Sequence, residues 1–205
     1  MDILTPRKSL NKAYLKQKIS RQEMERFKTN LQKMLSDMNP YESEEYHKNL
    51  LNTFLNDTWY KGKHFINTRE RTDLVIHSDK KPESAPAVLI ETKKPGNQTE
   101  MPSTDNLDAK AVHELIRYYL HERIDKENIH IRQLVVTDLN NWFVFDENEF
   151  DRYVYRNKKD VKEHKQHAPN ANISALEAEI DEMVYDLYGL TVEEGWGRPA
   201  RTPNP

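Results

Sequence analysis

Seven residues constrain this chain most: Ala87-Val88-Leu89-Ile90-Glu91-Thr92-Lys93. A short apolar run, stopped by Lys94-Pro95-Gly96-Asn97, reads as a strand with a sharp end. It is the strongest strand in the chain, and its last residues are charged. Side chains alternate along a strand, so Glu91 and Lys93 project together while Ile90 and Thr92 face the other way.

The neighbours of this strand set its surroundings. Residues 9–38 read as one long helix capped by Ser9, with Leu15, Ile19, Phe27, Leu31, Met34 and Leu35 at roughly helical spacing. Asn39-Pro40 ends it. A second helix runs over 43–57, capped by Ser43 and striped by His47, Leu50, Leu51, Phe54 and Leu55. Strands follow at 65–68 and 72–77, then a polar turn over 78–86. Beyond the central strand come a helix at 107–123, strands at 131–138 and 141–145 about Asn140-Asn141, and a basic helix over 146–165. This order describes an α/β domain with a central mixed sheet of four or five strands flanked by helices. The expected organisation is an N-terminal basic helix (1–40), a main domain (41–165), and a linker, amphipathic helix and disordered tail (166–205).

Composition narrows the function classes. The 205 residues are 36% hydrophobic and 32% charged, with no cysteine. A disulfide scaffold, a thiolate metal site and a cysteine nucleophile are thereby excluded. No apolar run reaches 18 residues, and the start lacks a signal peptide pattern, so a cytoplasmic location and no membrane partner are expected. The net charge of -3 argues against a passive nucleic-acid coat but allows a local basic patch. Lys and Arg crowd 7–33 and 152–165, whereas acidic residues concentrate at 42–45 and 177–194.

The chemistry centres on Asp73, Glu91 and Lys93. A hairpin through 78–86 brings Asp73 beside Glu91. Two carboxylates and one ammonium on one sheet edge suit phosphodiester hydrolysis. Asp73 and Glu91 would be metal ligands for Mg²⁺, a hard ion that keeps several waters. Lys93 would orient the attacking water and stabilise charge on phosphorus. Asn67, Arg69, Arg71 and Lys94 offer donors for a DNA backbone. Trp142, Phe143 and Phe145 read as sheet packing.

Thr72-Asp73 followed by Ile90-Glu91-Thr92-Lys93 resembles the PD-(D/E)xK nuclease signature, with Thr72 in place of the usual Pro. The stretches 67–76, 110–115 and 141–146 resemble the N-terminal cleavage domain of type IIG restriction enzymes, a likeness that spans about 5–165. Residues 180–191 resemble a segment near the end of the same enzymes. No Asn-Pro-Pro-Tyr motif accompanies them, so the methyltransferase part is missing. The resemblance implies a PD-(D/E)xK restriction-endonuclease-like fold and a Mg²⁺-dependent DNA endonuclease. It also implies a separate methyltransferase/specificity subunit as partner and a homodimer on DNA. Nucleases of this fold often carry a further carboxylate on the first core helix, which points to Glu44, then Glu45. The helix after the catalytic strand often lines the site, which adds Lys110 as a phosphate contact. The alternative is a catalytically idle module that grips DNA or a methyltransferase. RNA, single strands or branched DNA are alternative substrates.

Overall fold

The computed structural model of the chain describes residues 4–9, 16–69 and 72–155. Its N-terminal part departs from the expected long helix. A short helix α1 (Pro6–Ser9) precedes α2 (Arg21–Asp37), and residues 17–20, just before α2, are not helical. Ser9 closes α1, its hydroxyl donating to Pro6 O at 2.8 Å. The capping residue is Ser20. Its Oγ accepts from Glu23 N at 3.2 Å, and the Glu23 carboxylate accepts from Ser20 N at 2.9 Å. This reciprocal pair satisfies two of the donors that every helix start leaves open, so the helix begins there.

Helix α3 (Glu44–Leu55) starts where Ser43 predicts, with Ser43 Oγ accepting from Tyr46 N. It buries His47, Leu51, Phe54 and Leu55 along one face and runs on into a π-helical turn, Asn56–Tyr60. Five strands follow: β1 (Ile66–Arg69), β2 (Thr72–His77), β3 (Pro86–Thr92), β4 (Gln133–Thr137) and β5 (Trp142–Asp146). Helix α4 (Lys110–Leu120) lies between β3 and β4, and α5 (Glu147–Phe150) follows β5. Both continue into π-helical turns. The expected basic helix over 146–165 is seen as α5 and its turn to Tyr155. Its remainder, the linker, the amphipathic helix at 173–188 and the tail lie outside the described residues.

The sheet is mixed, in the order β1-β2-β3-β4-β5. Only β3 and β4 are parallel, and α4 makes the crossover that a parallel pair requires. Leu74, Ile76, Ile90 and Val135 join Met34, Leu51, Phe54 and Leu55 in one core cluster, which packs α2 and α3 on one face. Val75, Leu89, Leu134 and Val136 alternate with these strand residues and are equally buried. Helix α4 packs against β3 and β4, burying Ala111, Val112, Leu115, Ile116 and Tyr119. Strand β3 is therefore covered on both faces, which explains its unbroken apolar run.

Two turns stop strands where the site forms. Lys94-Pro95-Gly96-Asn97 closes with Asn97 N donating to Lys94 O, and Gly96 takes φ +85°, as a type II turn demands. Between β4 and β5 the positive φ falls on Leu139, at 70°, not on either Asn. Asp138 Oδ1 accepts from Asn140 N and Asn141 N, and Leu139 itself is buried in the core cluster. Trp142 is 41% exposed on edge strand β5, its indole N–H donating to Leu139 O, while Phe145 packs on Phe150. Among the described residues no helix is long and apolar enough to cross a membrane.

Candidate active site

The end of β3 is held differently on its two sides. Towards β4 the pairing persists to Thr92↔Thr137, and Lys93 N donates to Thr137 O at 2.9 Å. Towards β2 the pairs end at Leu74↔Ile90. Continued by one step, that register sets Asp73 opposite Glu91. Here a side chain replaces the ladder: Asp73 Oδ2 accepts from Thr92 N at 2.9 Å and from Thr92 Oγ1 at 2.8 Å. The carboxylate satisfies an N–H that the parting strands leave open.

Glu91 and Lys93 are buried beside it, at 2% and 4% exposure. Lys93 Nζ donates to Glu91 Oε1 at 2.6 Å and to Glu114 Oε2 at 2.7 Å, with Glu100 Oε2 at 4.0 Å. Burial works against the ammonium's charge, but Glu91 and Glu114 outweigh it and keep Lys93 firmly protonated. Two carboxylates thus compete for one cation. The more buried one yields: desolvation first, then the negative charge of Asp73, push Glu91 up to about 9. The neighbouring Glu114 carboxyl adds to the rise. Glu114 moves the opposite way: desolvation would raise it, but Glu91 and Lys93 outweigh that and hold it below its usual range. Glu91 Oε2, however, is buried with no hydrogen-bond partner.

Helix α3 supplies a second cation. Lys48 Nζ lies 3.4 Å from Asp73 Oδ1 and 2.5 Å from Glu45 Oε2. From α4, Tyr118 faces the same charges. Burial, then Glu91, Glu114 and Asp73, raise its hydroxyl to about 12.

The expected triad is therefore assembled: Asp73, Glu91 and Lys93 lie at one end of the sheet, between α3 and α4. Glu44 begins α3, one turn before Lys48, and no hydrogen bond or ion pair joins it to the triad among the described residues. Lys110 Nζ donates to Glu100 Oε1 at 2.8 Å, so Glu100 links it to Lys93. Lys94 follows directly, half-buried. Asn67 Oδ1 is instead 2.8 Å from His77 Nε2, towards the opposite end of β2. Arg69 ends β1, and Arg71 lies outside the described residues. His113 Nε2 stands 2.8 Å from Asp108 Oδ1, a close contact without hydrogen-bond alignment.

Lys48, Thr92 and Glu114 escaped the sequence reading. Glu114 had a signal, since it sits four residues after Lys110 on one helical face. Lys48 stands in the same relation to Glu44. Thr92 had none, because strict alternation turns it away from Asp73, and only the parting of β2 from β3 lets the two meet.

The donor set suits a hard divalent cation. Among the described residues Asp73 Oδ1 carries only the long Lys48 contact, and Glu91 Oε2 has no donor. Among the described residues no group of three His, Cys, Asp or Glu forms a ready-made metal cage. Mg²⁺ is commonly bound through one or two carboxylates and several waters. The two open oxygens provide that much. No curated protein matches the chain, and no solved structure does. Residues 4–187 match one family, which takes in the whole sheet and its site, and the chain belongs to that family, described as Domain of unknown function (DUF7149).

Proposed function

We propose that this chain is a Mg²⁺-dependent DNA endonuclease with a PD-(D/E)xK fold, the cleavage module of a restriction–modification system. The observation that carries this reading is the pair of open oxygens, Asp73 Oδ1 and Glu91 Oε2, beside a buried ammonium. Burying a carboxylate oxygen without a donor is costly, and it persists where a ligand is to be held. The Asp73, Glu91 and Lys93 pattern and the type IIG-like stretches supply the substrate class.

Asp73 and Glu91 would hold the cation through those oxygens. When bound, Mg²⁺ supplies a Lewis acid for the phosphate and a more acidic water. Thr92 fixes Asp73 through two bonds to Oδ2, so its other oxygen stays aimed. To serve as a ligand Glu91 would release its proton to solvent. Glu114 then keeps Lys93 in place, and the ammonium orients the water and stabilises charge on the phosphoryl oxygens. Water would add to phosphorus and give up a proton to solvent, while the phosphorus–oxygen bond to the sugar breaks and the leaving oxygen takes a proton from solvent water. DNA has two strands, so two copies act together, with a methyltransferase/specificity subunit choosing the sequence.

Plasmid cleavage in Mg²⁺ tests this, with Lys93→Ala and EDTA as controls. Nicking or linearisation that needs both metal and Lys93 is expected. Absence of cleavage at high protein concentration, with Mn²⁺ also tried, would leave a binding module or a nuclease dependent on its methyltransferase.

A further inference from the structure

We propose that Lys48 is a resident cation that occupies Asp73 in the metal's absence and passes to the substrate phosphate when a divalent cation enters. This rests on the nuclease reading. Asp73 has one oxygen already committed, since Oδ2 accepts twice from Thr92. The remaining oxygen, Oδ1, faces Lys48 at 3.4 Å. That contact is loose. The bond from Lys48 to Glu45, three residues back on α3, is far shorter at 2.5 Å. Lys48 is thus moored on its own helix and only leans on Asp73.

The side chains suit an exchange. The Lys48 side chain is 14% exposed, so its stem is packed, while Glu45 is 60% exposed and free to follow. A lysine ammonium is a compact charge on a flexible stem with three donors, so it moves without backbone change. A divalent cation on Asp73 Oδ1 repels an ammonium a few ångströms away. Metal entry therefore drives Lys48 off Asp73, and Glu45 keeps it beside the site. A phosphate brought to the metal meets that displaced charge. Lys48 stays protonated throughout, so the exchange needs no titration. It also offsets the charge of half-buried Asp73 before metal arrives.

Two opposed shifts test the exchange in the full chain. Mn²⁺ binding is followed by the EPR signal of the free ion for wild type, Lys48→Met, Lys48→Arg and Asp73→Asn. Duplex DNA binding is measured in Ca²⁺ across a salt series for the same proteins. Lys48→Met is expected to bind Mn²⁺ about fivefold tighter or more, the low end of ordinary coupling between two ligands. Its DNA salt slope should fall by about one, the loss of one phosphate contact. Lys48→Arg should restore both values, which a role in packing alone would not move. If Lys48→Met shows no cooperative melt, Lys48→Gln replaces it. Unchanged or weaker Mn²⁺ binding in the variant, or an unchanged salt slope, overturns the exchange. In that case the nuclease reading stands as long as Asp73→Asn abolishes Mn²⁺ binding. If neither wild type nor Lys48→Met binds Mn²⁺, both are overturned.

Discussion

Strand β3 passes between two buried polar clusters, one at each end. At its first residue, Pro86 O accepts from Asn128 Nδ2 at 2.9 Å. Asn128 Nδ2 also reaches Glu122 Oε2, its Oδ1 accepts from His130 N, and Glu122 Oε1 takes a bond from Lys126. His77 nearby has both ring nitrogens engaged, by Ser84 O and Asn67 Oδ1. Every buried side-chain polar atom of this cluster has a partner. At the last residues of β3, burial is as deep but the network stays open. Glu91 Oε2 has no donor, and the other unpartnered buried atoms among the described residues belong to His47, Asp108 and His113, on or next to α3 and α4. A closed polar network fixes one structure, whereas an open one keeps capacity for a ligand. The two ends of a single strand thus separate polar burial that shapes the fold from polar burial that serves chemistry.

The largest effect expected from this contrast is on cleavage. Lys93→Ala should lower plasmid cleavage by roughly 10²–10³-fold or more, the usual cost of removing a group that stabilises transition-state charge. Asn128→Ala, made at the closed end, should leave it unchanged. Equal losses in both variants would erase the distinction. Next comes stability. Asn128→Ala strands the partners of a buried amide and should cost about 1–3 kcal/mol in denaturant unfolding. A neutral result would mean the closed cluster is not structural.

The third effect concerns pH. Glu91 titrates at about 9 in the folded, metal-free protein, against 4.5 for a free glutamate. Between those values the folded state binds more protons than the unfolded state. Stability should therefore fall as pH rises from about 5 to about 9. Glu91→Gln cannot ionise and should flatten that part of the melting profile. A wild-type melting temperature that rises over the same range would contradict the burial argument for Glu91. The smallest effect is remote from both clusters. Ser20→Ala removes the cap of α2 and should cost about 1 kcal/mol, with Mn²⁺ binding untouched. A loss near zero would show that Glu23 alone sustains the helix start.

Much of the sheet was legible from local patterns. The strand bounded by Pro86 and Pro95-Gly96, the cap at Ser43 and the triad spacing all rest on short-range rules, and each element lies near its expected place. The N-terminal helix was overextended because apolar residues at 15 and 19 continued its spacing, while the capping box at Ser20 and Glu23 carried the decisive information. The partners of the triad were harder to see. Glu114 and Lys48 come to the site only through packing of two helices on opposite faces, a tertiary fact that spacing cannot encode. Thr92 meets Asp73 because the ladder stops, which alternation does not anticipate.

The parallel pairing of β3 with β4 bears on when the site can come into being. Asp73 and Thr92 are joined across a hairpin, nineteen residues apart in sequence. Lys93 N reaches Thr137 O only after α4 has crossed the sheet. Closing that longer loop has the larger entropic cost, and non-local pairing of this kind is slow. Assembly is then ordered: the carboxylates meet in an early hairpin, and the lysine is locked between them and Glu114 at the last step. In pulse-labelling hydrogen exchange, the Val75 amide should gain protection before that of Lys93. A chain still emerging from the ribosome would on this account be chemically silent until its crossover closes.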